Sequence, residues 1–109
     1  MIEIEAKILL VDDDARSLMA METLLTGPGR VVITADSGPE ALRQVLRHDF
    51  AVILLDVRMP RVDGFEAAEL IRQREQSRHT PIIFLSAVDK LDEDVFRGLA
   101  SGAVDYLFK

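Results

Sequence analysis

Cysteine is absent from this sequence. That excludes disulfides, thiolate metal sites and a cysteine nucleophile together, and it fits a reducing compartment. No apolar run approaches the roughly 20 residues that span a bilayer. The acidic start, Met1 to Lys7, lacks the shape of a signal peptide. A basic balance is missing too. The formal net charge is −6 and the isoelectric point about 4.8, so the surface repels phosphate backbones and direct nucleic-acid binding is not expected. Neither G-x-G-x-x-G nor G-x-x-x-x-G-K occurs, which argues against a nucleotide or flavin module. There is no internal repeat, linker or low-complexity stretch. The 109 residues fit one domain, residues 1–109, and 49% of them are hydrophobic, enough for a core without crosslinks. The expectation is a cytoplasmic protein with no membrane contact.

What is present is an alternation of two patterns. Short apolar runs occur at residues 8–11, 31–33, 51–55, 81–85 and 104–108. The first, third and fourth are continuously apolar, as strands covered on both faces are. Helical spacing lies between the runs. Leu18, Met21, Leu24 and Leu25 mark a helix over about Asp14 to Thr26, ended by Gly27-Pro28-Gly29. Ser37 and Glu40 form a capping box with Pro39 inside the first turn, and Ala41, Leu42, Val45 and Leu46 are its expected buried face. Phe65, Ala68, Leu70 and Ile71 mark a third helix after Asp63-Gly64. Val95, Phe96, Leu99 and Ala100 mark a fourth, ended by Gly102. The order β-α-β-α-β-α-β-α-β predicts a doubly wound parallel sheet, because right-handed crossovers leave few other topologies.

Ligands of such sheets sit at the carboxyl ends of the strands, and polar residues gather there. The first run leads into Asp12-Asp13-Asp14, the third into Asp56, the fourth into Ser86 and the fifth into Lys109. A single Asp after a strand is commonly a helix cap, and Asp14 reads that way. Ser86 or Lys109 alone would be an ordinary turn residue or solvated end. Taken jointly, Asp12, Asp13 and Asp56 fall within a few ångströms of one another in this topology. Carboxylates so placed repel unless a cation neutralises them. An oxygen-only ligand set, without His or Cys, selects Mg²⁺ over Zn²⁺. His48 and His79 have no ligand-type companion and read as surface residues.

Leu9 to Asp14, Leu54 to Pro60, Asp63-Gly64, Phe84 to Ala87 and Asp105 to Lys109 resemble, in order, the successive motifs of response-regulator receiver domains. Each motif is short; five in register across almost the whole chain are specific. The resemblance implies a flavodoxin-like α/β fold with strand order 2-1-3-4-5. It implies that Asp56 accepts a phosphoryl group from a phosphohistidine on a sensor histidine kinase or phosphotransfer protein. Asp13 would bind Mg²⁺ directly and Asp12 mainly through water, with Asp56 and the backbone carbonyl of Arg58 as further ligands. Ser86 and Lys109 would contact phosphoryl oxygens. Ser86 and Tyr106 would couple the modification to a surface near the last two strands, which controls an output domain or downstream protein. These residue types suit the chemistry. Attack of an anionic carboxylate on an anionic phosphoryl group needs cations and directional donors around it.

Two other readings compete. A phosphatase of the haloacid-dehalogenase type also places an Asp nucleophile and Mg²⁺ after a parallel strand, but wants a second Asp where Arg58 stands. A non-phosphorylated interaction domain would keep the fold and leave Asp56 unreactive. Receiver domains usually continue from the Lys into a fifth helix, whereas this sequence stops at Lys109. The expectation is therefore a receiver domain truncated before its last helix. Its sheet would be uncovered on the face shared with the first helix, and the chain would be prone to homodimerise or otherwise self-associate.

Overall fold

The computed structural model describes residues 5–59, 62–86 and 105–108, with Ser86 and residues 105–108 described by backbone alone. Eight elements follow the alternation: β1 (Ala6–Val11), α1 (Ala15–Leu25), β2 (Arg30–Ala35), α2 (Gly38–Arg47), β3 (Val52–Asp56), α3 (Gly64–Gln73), β4 (Ile82–Ser86) and β5 (Asp105–Phe108). The strands form one sheet in the order β2-β1-β3-β4-β5, and every pairing is parallel. The flavodoxin-like topology is therefore present. The fourth expected helix, around Val95 to Ala100, lies outside the described residues.

Strand alternation divides the apolar side chains between two layers. Leu9, Val11, Ile53, Leu55, Ile82 and Phe84 point to one face and pack against Ala41 and Val45 of α2 and Phe65, Ala68 and Ile71 of α3. The rings of Phe65 and Phe84 meet at a centroid distance of 4.9 Å, tilted by 58°. Ile8, Leu10, Leu54 and Leu85 point to the other face, beside Leu18, Met21 and Leu25 of α1. That second face is not bare as expected. Among the described side chains of this face, Leu10, Leu54 and Leu85 are buried and Val52 and Ile83 are half-buried, while the side chains of β5 lie outside the description.

The helix ends follow the capping chemistry. Asp14, Ser37 and Asp63 cap α1, α2 and α3, each accepting from a backbone N–H of the first turn. Only half of the expected capping box forms. Glu40 donates its backbone N–H to Ser37 Oγ at 3.2 Å, but its carboxylate turns outward to Gln44 and Arg43. Three leucines of the helical patterns are exposed, Leu24 at 76%, Leu46 at 62% and Leu70 at 40%, and of these Leu46 was expected on a buried face. The cause is angular. Each residue advances a helix by about 100°, so Leu24 falls outside the stripe of Leu18, Met21 and Leu25, and Leu70 lies off the stripe of Ala68 and Ile71. Apolar type alone did not show which of these side chains face inward.

Candidate functional site

The strand order reverses between β1 and β3. β2 is laid down on one side of β1, and the chain then crosses back to place β3 on the other. The connections leaving β1 and β3 diverge, which opens a crevice at their carboxyl ends. Val11 pairs with Leu55 in register, so Asp12 and Asp56 emerge side by side at that crevice. Asp12 and Asp56 are 1% and 3% exposed, while the neighbouring Asp13 is open to solvent. One carboxylate oxygen from each of Asp12, Asp13 and Asp56 lies within 4.8 Å of the others.

Backbone donors hold two of these carboxylates. The N–H of Asp14 donates to Asp12 Oδ1 at 2.9 Å, and the N–H of Arg58 approaches Asp56 Oδ1 at 3.4 Å. Both contacts run from the residue two positions later, the Asx-turn geometry that favours Asp where a strand breaks into a loop. The loop after β3 is tied on both sides. Val57 donates its N–H to Leu85 O at 3.1 Å, and Gly64 donates its own to Val57 O at 3.0 Å. Gly64 sits so near the end of β3 that a Cβ there would overlap the carbonyl oxygen of Asp56. A glycine is needed at this position for the close approach of α3 to the strand end. Sequence reasoning drew the Asp cluster together but missed the Asp14 and Arg58 amides; the Asp-x-x turn pattern was their available signal.

Between the two buried carboxylates, repulsion amounts to about 3 kcal/mol at an effective dielectric constant of about 20. A divalent cation would turn that repulsion into attraction. The donor set is oxygen only, with one carboxylate open to water, which fits a hard cation that keeps part of its hydration shell. Among the other expected site residues, Ser86 ends β4 opposite Phe108, and Tyr106 lies in β5 opposite Phe84. Ser86 therefore stands at the same edge of the sheet as Asp56, one strand away. Lys109 lies outside the described residues. His79 is exposed, as expected. His48 is not simply a surface residue: it is half-buried, accepts from Lys7 Nζ at Nδ1 over 3.2 Å, and stacks obliquely near Phe50.

A doubly wound parallel sheet with three carboxylates at its switch point defines a class of α/β proteins whose site could hold a metal ion. Within that class this chain belongs to the response regulator receiver domain family, which its sequence matches over residues 8–109. It is a receiver domain of two-component signal transduction, and nothing supports the phosphatase alternative. It is 39% identical over 103 residues to the transcriptional regulatory protein HprR of Escherichia coli, covering 94% of this chain and 44% of that protein. The chemotaxis protein CheY4 of Vibrio cholerae superposes with a TM-score of 0.89 at 36% identity, covering 96% of this chain and 87% of that one. The receiver domain of the sensor histidine kinase PA1611 of Pseudomonas aeruginosa, solved with a magnesium ion coordinated in its active-site cleft, superposes with a TM-score of 0.86 at 36% identity, covering 96% and 85% of the two chains. The chain spans less than half the length of the curated relatives it matches. Receiver domains are in general phosphoacceptors rather than enzymes, and their acidic pocket binds Mg²⁺. Among the described residues, no helix is long and apolar enough to cross a membrane.

Proposed function

We propose that Asp56 is the phosphoacceptor of this receiver domain. The observation that carries the reading is the meeting of buried Asp56 with Asp12 and Asp13 at the switch point of the sheet. A carboxylate oxygen of Asp56 attacks the phosphorus of a phosphohistidine on a sensor kinase or phosphotransfer protein. The new O–P bond replaces the P–N bond, and the leaving imidazole takes up a proton. The backbone N–H of Arg58 and the close packing of Gly64 hold the Asp56 strand end in place for that attack. Asp12, Asp13, Asp56 and the carbonyl of Arg58 would hold Mg²⁺, which when bound neutralises charge on the transferring group. Ser86 supplies a hydroxyl donor to one phosphoryl oxygen, and Lys109 a compact positive charge to another.

The domain accelerates its own modification and, in time, the hydrolysis of the acyl phosphate. Inward movement of Ser86 toward the phosphoryl group frees space for Tyr106 and biases the surface beside β4 and β5 between two states. That surface then acts on an output domain or a downstream protein, in the cytoplasm. Exposed Met19 and Leu24 on α1 add an apolar surface through which two copies would associate, a point that light scattering over a concentration series decides. The direct test of the phosphoacceptor is incubation with acetyl phosphate and Mg²⁺, followed by intact mass. A single phosphoryl increment, lost in Asp56→Asn, is the expected result. An increment of full yield in that variant refutes the assignment.

A further inference from the structure

A second site is built at the opposite end of the sheet. A cleft of about 530 Å³ opens between the end of α2 and the connection from α3 to β4, lined by Val45, Leu46, Arg47, His48, Asp49 and Gln76. A pit of about 10 Å³, the size of one water, continues beneath it toward Phe50, Ile53, Ser77 and Thr80. The cleft lies at the amino end of β3, so the length of the strand separates it from Asp56, roughly 17 Å.

Its polar lining is oriented from behind. Lys7 Nζ lies 3.2 Å from His48 Nδ1. An ammonium can only donate, so Nδ1 is the acceptor and the ring proton sits on Nε2, as a donor. Arg74 acts in the same way on the amide of Gln76: its Nη2 donates to Gln76 Oε1 at 3.0 Å, while Nη1 donates to Val45 O at 3.3 Å. With Arg74 bonded to Oε1, the NH₂ of Gln76 keeps both of its donor protons, and Oε1 keeps one lone pair. Arg47 adds a guanidinium. Three donor groups thus line the cleft, two of them fixed by cations behind them, in a protein of net charge −6. Asp49 is the one carboxylate of the lining. As an ionised group it only accepts, so it favours a ligand that also carries a proton to donate. Inorganic phosphate has both features in HPO₄²⁻ as in H₂PO₄⁻, acceptor oxygens for Arg47, His48 and Gln76 and a P–OH for Asp49, whereas a phosphomonoester carries the P–OH only as its monoanion. Sulfate at neutral pH and carboxylates lack the O–H.

We propose that this cleft binds a phosphate group, free or carried by a small phosphomonoester, independently of the Asp56 site. Its lining is largely exposed to water, so affinity is on the order of millimolar, as expected of screened charge-assisted contacts.

The test is an amide chemical-shift titration of the intact 109-residue chain with inorganic phosphate, in EDTA at constant ionic strength. EDTA removes the metal that would draw phosphate to the acidic crevice. Saturable shifts centred on residues 45–49 and 76 are expected, unchanged in Asp56→Asn. Arg47→Ala and Gln76→Ala should each weaken binding by roughly three- to fivefold, and both sites are exposed, so the variants keep the fold. Sulfate should bind less tightly than phosphate, and Asp49→Asn should remove that difference. Methyl phosphate separates the sources: tighter binding than inorganic phosphate assigns the site to a phosphomonoester, weaker binding to the free ion. Shifts that never saturate, variants that bind like wild type, or sulfate binding equal to phosphate in the unaltered chain overturn the proposal. Failure of acetyl phosphate labelling would remove the phosphoacceptor reading and leave this one standing.

Discussion

Replacing Gly64 by alanine puts a methyl group where the end of β3 already is. The added Cβ would overlap the carbonyl oxygen of Asp56 and lie 2.9 Å from both the Asp56 carbonyl carbon and Val57 Cα. All three are backbone atoms, so no side-chain rotation relieves the contact. Either α3 moves away from β3, or the Asp56 peptide shifts. Overpacking of this kind costs about 1–3 kcal/mol, and the obstacle being backbone places the cost toward the upper end. Alanine recovers about 0.5–1 kcal/mol through helix propensity and a less flexible unfolded chain. The net destabilisation is about 1–2 kcal/mol, a fall in Tm of roughly 5–15 °C for a domain of this size. The same shift displaces the proposed nucleophile, so the rate of labelling by acetyl phosphate should fall about tenfold or more, as small misplacements at a reacting centre do. Thermal unfolding and a mass-based labelling time course read the two effects separately. Gly29→Ala is the control. Its φ of 76° makes any side chain costly, but nothing lies within 4 Å of a Cβ there. It should lose about 1–2 kcal/mol of stability and keep the wild-type labelling rate. A Gly64→Ala protein with unchanged Tm and rate would show that the approach of α3 to Asp56 is not tight.

Further outcomes follow from the same geometry. Asp13→Ala should nearly abolish labelling, whereas Asp12→Ala should be milder, and full activity of the wild type in EDTA would refute a metal requirement. Ser77→Ala removes a buried hydroxyl that donates to Ile71 O at 2.6 Å; the cost in denaturant unfolding should be about 1 kcal/mol, with no effect on labelling. Phe84→Ala, in the core between β4 and the α2–α3 layer, should cost about 3–5 kcal/mol in denaturant unfolding. Ser86→Ala should still be labelled, but the amide shifts of β4 and β5 on labelling should shrink; identical shifts in wild type and variant would exclude the coupling.

Much of this protein was legible before folding was considered. Continuous apolar runs that end in Asp12, Asp56 and Ser86 mark buried parallel strands and the edge where their chemistry lies, because a strand covered on both faces leaves only its ends for polar groups. Asp14, Ser37 and Asp63 mark helix starts, because a first turn has unpaired N–H groups and these side chains accept from them. Such signals are local, carried by residues close in sequence. The rest depended on what the folded chain brings near. Leu24, Leu46 and Leu70 are apolar but solvent-facing, since the sheet selects which stripe of a helix it covers. His48 looked like a surface residue until the start of β1 placed Lys7 against its ring. The fit of Gly64 against the Asp56 carbonyl exists only because α3 returns over the end of β3. The donor-lined cleft joins the end of α2 to residues just before β4, and no local pattern relates those segments. Spacing and residue type act through short-range backbone geometry and can be read one segment at a time, whereas distances between segments are set by the packing of the layers, which exists only once the whole sheet has formed.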